Sequence, residues 1–132
     1  MITTTLLLEK ADRAIGSAQL LFSTGDYEGA CNRAYYAMFD AAKAALLFVQ
    51  PDSDLSVAKT HNGLIAAFGL QLVKTGLVDA VHGRNLDKGQ TLRQLADYTG
   101  EQLTANDIEQ MIDNAKLFYT AISSLIGIQQ NL

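Results

Sequence analysis

The sequence predicts an all-α protein, a bundle of about five helices. Three observations carry this. Apolar residues recur at steps of three and four along most of the chain, no segment sustains an alternating pattern, and the one proline, Pro51, lies in a polar stretch outside the periodic segments. The first helix is marked by the stripe Leu7, Ala11, Ala14, Ala18 and Leu21, flanked by Leu8, Ile15 and Phe22. Gly25 supplies a left-handed stop, and Asp26 is placed to cap the next helix at once. That second helix spans about 27–47 and is rich in alanine. Small side chains let helix backbones approach closely, so it is expected at the centre of the bundle or at a dimer seam.

Gln50-Pro51-Asp52-Ser53-Asp54 reads as a loop, because proline and short polar residues compete with regular structure. A third helix is predicted over 57–75, ending before Gly76, and a fourth over 86–98, ending near Gly100. The stretch 77–85 between them is expected to be a bent connector or a short helical turn. The fifth helix is the clearest: Ile108, Met111, Ile112, Ala115, Phe118, Tyr119, Ile122, Leu125 and Ile126 fall on one face, and Thr104 can cap its first turn.

The length of 132 residues suits a single helical domain, residues 1–132. One cysteine, Cys31, can form no internal disulfide, and two histidines leave little material for a metal centre. Neither a metal nor a cofactor is expected. Ten Lys and Arg against fourteen Asp and Glu give a net charge of -4, which argues against gripping duplex DNA by broad phosphate neutralisation but leaves room for a local basic cleft. No apolar run approaches the roughly 18–20 residues that span a bilayer, and the N-terminus lacks the basic start of a secretory signal. The expectation is a cytoplasmic protein with no membrane association.

Candidate chemistry falls on three helices. At 100° per residue Asn32, Arg33, Tyr36, Asp40 and Lys43 share a polar arc of the second helix, opposite Ala30, Cys31, Ala34, Met38, Ala41 and Ala45. Such an arc could hold a phosphate through Arg33 and stack a base on Tyr36. It could equally be a solvated face with a local Arg33–Asp40 or Asp40–Lys43 pair. Lys59-Thr60-His61 opens the third helix, where free amides, a lysine and a histidine favour an anion and offer a group that titrates near neutrality. On the fourth helix Arg93 and Asp97 lie one turn apart beside Gln90, with Tyr98 to the side; the plainer reading is an i,i+4 ion pair in the weaker orientation. His82, Arg84 and Lys88 add local positive charge. Cys31 lies on the apolar face and reads as core.

Taken together, the run 25–44 with Arg33-Ala34-Tyr35-Tyr36-Ala37-Met38-Phe39 inside it, then Lys59-Thr60-His61-Asn62-Gly63, then Arg93-Gln94-Leu95-Ala96-Asp97-Tyr98, resembles the HEPN superfamily. More narrowly it is similar to small stand-alone prokaryotic members with an Arg-x-x-x-Asp-Tyr ending, over nearly the whole chain. The resemblance implies an up-and-down bundle of four to five helices, a homodimer, and a separately encoded small nucleotidyltransferase as partner. It also implies RNA or a nucleotide as ligand, and for many members metal-independent RNA cleavage at the dimer cleft. Arg93 matches the motif arginine. The motif histidine falls at 98, 99 or 100, where this chain has Tyr98, Thr99 and Gly100. Tyrosine, with a pKa of about 10, is a poor base at neutral pH. Catalysis would then rest on Arg93, Asp97 and Tyr98 with His61 as proton-transfer group, and substrate binding on Arg33, Tyr36 and Lys59. A non-catalytic accessory module of the nucleotidyltransferase, or a plain structural dimer, are the alternatives. Kinship also makes Tyr98 a target for nucleotidylation by that partner.

Overall fold

The computed structural model describes residues 3–52, 60–99 and 103–130. Five α-helices account for nearly all of them: α1 Thr4–Ser23, α2 Tyr27–Val49, α3 His61–Phe68, α4 Ala80–Thr99 and α5 Ala105–Gln130. No strand occurs among the described residues. The bundle is all-α and up-and-down, as the sequence predicts.

Each start has a local chemical cause. Thr3 accepts from the Leu6 amide at 3.1 Å, Asp26 from Gly29 at 2.8 Å and Thr60 from Gly63 at 2.9 Å, each satisfying a donor that the first turn leaves free. Thr104 and Asp107 cap α5 reciprocally: the Asp107 amide donates to the threonine hydroxyl at 3.1 Å, and the Thr104 amide donates to the Asp107 carboxylate at 3.3 Å. Gly25, at φ 88°, makes the turn that sends α2 back along α1, their contact being the most extensive in the molecule.

α2 is the central element and touches every other helix. Its alanines at 30, 34, 37, 41, 42, 44 and 45 are buried, and Cys31 lies among them with its thiol pushed up to about 11, chiefly by burial, so it is inert core. α4 crosses this core at Gly89. A Cβ there would come within 2.8 Å of the Met38 methyl, 3.2 Å of the Met111 methyl and 3.3 Å of the Tyr35 ring, so the missing side chain sets how closely α4 lies against α2 and α5. At the other end of the core Phe68 and Phe118 stack, ring centroids 5.2 Å apart, both fully buried.

Three expectations need correction. The third helix starts at His61, its predicted first turn lying outside the described residues, and it does not run evenly to 75. At Gly69–Val73 it widens into a π-helical turn, with the Lys74 amide donating to the Gly69 carbonyl at 2.9 Å, before Gly76 ends it at φ 81°. The buried Leu64, Phe68 and Leu72 follow at steps of four, which an α-turn and a wider turn both tolerate, so the spacing does not announce the change. Second, most of the 77–85 connector is already helix, because the Asp79 carboxylate accepts from the Val81 amide at 2.8 Å and opens α4 there. The apolar residues of the segment, Leu77, Val78, Ala80 and Val81, are bunched within five positions and give no sustained stripe. Third, His82 does not contribute to a basic surface: it stands half-buried, edge-on to Phe118 at 5.8 Å.

Phe118→Ala should cost about 3–5 kcal/mol, because the cavity it leaves strips Phe68 of its stacking partner and lies too deep to collapse. Urea denaturation followed by circular dichroism measures the loss.

Candidate functional site

Three helices bring one cluster together. Tyr35, Tyr36 and Phe39 project from α2 toward the start of α3, where His61 sits against all three rings at centroid distances of 5.4, 5.8 and 4.9 Å. α4 supplies Arg93, whose guanidinium lies over the Tyr35 ring at 5.2 Å. On the outer flank Arg33 lies over the Tyr36 ring at 5.4 Å and Lys43 over Phe39 at 4.8 Å. The guanidinium of α4, the phenols of α2 and the imidazole of α3 therefore form one continuous patch.

Arg93 is the unusual member. It is only 9% exposed, a level at which an ion normally needs full pairing. It has one ionic partner among the described residues, Asp97, at 3.0 Å, and its Nε is buried without a hydrogen-bond partner. The predicted i,i+4 pair thus forms, but on a buried arginine rather than at a solvated face. Beside it Gln90 is 6% exposed; its amide nitrogen donates to Asn62 on α3 at 3.1 Å while its Oε1 has no partner. That bond ties the first turn of α3, and so His61, to α4.

The hydroxyl of Tyr35 and Nδ1 of His61 are 2.7 Å apart. Tyr35 is fully buried, and burial pushes its phenol well above the ordinary range despite the opposing field of Arg93. The phenol keeps its proton. His61 is the one partner of this hydroxyl among the described residues, so the O–H must donate to Nδ1 or be left unmet in the core. Burial, then Arg93, then Lys43 hold the imidazole below its ordinary value of 6.5, so the ring is neutral at neutral pH. A neutral ring that accepts at Nδ1 carries its proton on Nε2. His61 therefore carries a donor, not a base, at Nε2.

Of the residues singled out in the sequence, Arg33, Tyr36, His61, Arg93 and Asp97 fall in or beside this patch. Lys59 and the side chain of Tyr98 lie outside the described residues. The polar arc of α2 is partly misread: Asp40 is buried, its carboxyl raised mainly by desolvation against the pull of Lys10, Lys43 and Arg33. Neither an Arg33–Asp40 nor an Asp40–Lys43 ion pair forms among the described residues; Arg33 instead donates to Asn32 at 3.1 Å. Sequence reasoning missed Tyr35. A tyrosine on the apolar side of a helix reads as packing, and only the fold shows that its hydroxyl reaches His61. No group of three or more His, Cys, Asp or Glu among the described residues could hold a metal ion, and no described helix is long and apolar enough to cross a membrane.

Residues 4–125 match the HEPN domain. The chain belongs to the HEPN family. Its relatives include a protein of Methanocaldococcus jannaschii named "Putative toxin MJ0605", 36% identical over 120 residues, spanning 91% of this chain and 86% of the relative. A second protein of that organism, "Putative toxin MJ0142", is 26% identical across 85% of this chain and 74% of its own length. A UPF0332 protein of Thermotoga maritima is 34% identical across 89% of this chain and 86% of its own. These names make this HEPN protein similar to toxin-like members.

Tyr35→Phe keeps the ring beneath Arg93 and removes the proton held on Nδ1. The pKa of His61, followed by NMR titration of its ring protons, should rise in the variant. In the wild type the depressed His61 acts on stability in one direction. Its contribution is present above 6.5, where the folded and unfolded imidazoles are both neutral, and is lost as pH falls from there through the lower folded-state pKa. The half-buried His82, lowered by desolvation, adds to the same loss. Urea midpoints measured on both sides of 6.5 should therefore fall toward acid.

Proposed function

We propose that this protein is a toxin-type HEPN module that binds the phosphate of an RNA strand or nucleotide at the Arg93–His61 patch, acting as a homodimer alongside a separately encoded nucleotidyltransferase. The observation that carries this reading is the arginine. A guanidinium buried to this degree, with one carboxylate partner among the described residues, is poorly compensated for its lost hydration, and a phosphate oxygen meeting its small exposed remainder would supply what is missing. In this reading Arg93 grips a phosphate oxygen, Asp97 fixes the plane of its guanidinium, and the Nε2–H of His61 donates to the same phosphate. Arg33 and Tyr36 continue the patch along α2, offering a second cation and an aromatic face for a base. By kinship alone, Lys59 is kept as a further substrate-binding candidate and Tyr98 as the acceptor for a nucleotidyl group from the partner.

A second reading, metal-independent cleavage of RNA, is what the resemblance to the HEPN superfamily implies for many members; the names of the two Methanocaldococcus jannaschii relatives go no further than toxin. It requires His61 to accept a proton at Nε2, which the Tyr35 O–H on Nδ1 works against. Binding without cleavage is therefore the reading the geometry favours.

The test combines binding and integrity of one labelled RNA in EDTA, read by fluorescence anisotropy and by gel. The wild type should bind and leave the RNA intact, with affinity falling as salt rises. Arg93→Lys, which keeps the charge and loses the fork, should weaken binding about tenfold, equivalent to about 1.4 kcal/mol. RNA cut by the wild type and spared by His61→Gln would establish the second reading instead. Absence of both binding and cleavage would sink both.

A further inference from the structure

The first turn of α3 has few anchors of its own. His61 is half-buried, Asn62 is exposed and Gly63 has no side chain to bury; the fully buried residues of the helix, Leu64 and Phe68, come later. With eight residues before the π-turn, α3 is too short to hold its start by helix propensity, so contacts with other helices must do so. Among the described residues two side-chain hydrogen bonds reach that turn from elsewhere in the bundle. Tyr35 on α2 meets His61 Nδ1 at 2.7 Å, and Gln90 Nε2 on α4 donates to Asn62 Oδ1 at 3.1 Å.

Gln90 is a costly residue for its place. It is 6% exposed and its Oε1 has no partner among the described residues, so its amide carries a desolvation penalty that a methionine of similar volume would not. What the amide gives in return is the bond to Asn62. That bond closes a ring of contacts through three helices. The Arg93 guanidinium lies over the Tyr35 ring, the Tyr35 hydroxyl donates to His61, Asn62 next to His61 accepts from Gln90, and Gln90 stands one turn before Arg93 on α4. Asn62 and Tyr35 thus hold the start of α3 from two directions, and Gln90 and Arg93, on one helix, move together.

We infer that Gln90 is a positioning residue: through Asn62 it holds the first turn of α3 so that the Tyr35 hydroxyl meets His61 Nδ1, leaving Nε2–H for the anion that Arg93 binds. Only the last clause rests on the phosphate reading of the patch; the setting of His61 by Gln90 does not.

Two variants cut the link from opposite sides. Asn62→Ala acts at an exposed position and puts a good helix former in the first turn. Gln90→Met acts from the core with its volume kept, and should it fail to fold, Asn62→Ala decides alone. In the wild type the buried, hydrogen-bonded Tyr35 hydroxyl proton should be visible by NMR; in both variants it should be lost to exchange with water. The His61 ring, titrated through its own protons, should move up toward its ordinary 6.5 in both. Combined with Tyr35→Phe, either change should raise it by less than the sum of the single effects, since the bond through which Gln90 acts is already gone. A Tyr35 hydroxyl proton still visible and a His61 titration unmoved in Asn62→Ala would overturn the inference, as would effects that add in full.

Labelled RNA should bind both variants about threefold to tenfold more weakly than the wild type. A wild type that binds no RNA would overturn the phosphate reading and leave the positioning of His61 to the NMR comparison. Wild-type affinity in variants whose His61 has moved would overturn the clause that joins His61 to the anion.

Discussion

The charge of Arg93 is the constraint around which the site is arranged. A guanidinium cannot shed its proton to escape burial, so the surrounding helices must compensate for lost water with whatever they carry. α2 offers the face of Tyr35, and α4 itself offers Asp97 one turn on. The same field reaches across to α3, where with burial and Lys43 it keeps His61 neutral, and it opposes the rise in the Tyr35 phenol. Burial is the larger cause of both protonation states; the fixed cation reinforces the neutral imidazole and works against the neutral phenol.

Those protonation states decide what the patch can do. With the phenol protonated and the imidazole neutral, the hydrogen bond between them has one sense, from oxygen to Nδ1. Nε2 is then a donor, and the patch reads as a set of hydrogen-bond donors and cations gathered around the rings of Tyr35, Tyr36 and Phe39. Such a set suits a phosphate in its resting, charged form. It is poorly suited to removing a proton from a ribose hydroxyl, the task that the histidine missing at 98–100 would perform in the cleaving members that the sequence resembles.

Much of the fold was legible in the sequence because its determinants are local. Caps at Asp26 and Thr104, the left-handed Gly25 and the apolar stripe of α5 each announce themselves within a few residues. What escaped was of two kinds. The π-turn at Gly69–Val73 and the early start of α4 change the count of residues without changing their character. The Tyr35–His61 bond and the burial of Asp40 depend on which neighbouring helix covers a face, and no spacing rule on α2 alone contains that. Arg93, His61, Arg33 and Tyr36 could be picked out as polar residues at helix-compatible positions, yet their mutual proximity is a property of the packed bundle.

Gly89 gives this arrangement a mechanical dimension. It lies one turn before Arg93, where an added Cβ would run into Met38, Met111 and the ring of Tyr35. A branched side chain there would act as a wedge, lifting α4 from α2 and carrying the guanidinium away from the ring beneath it. The spacing of the patch is thus hostage to one absent methyl group.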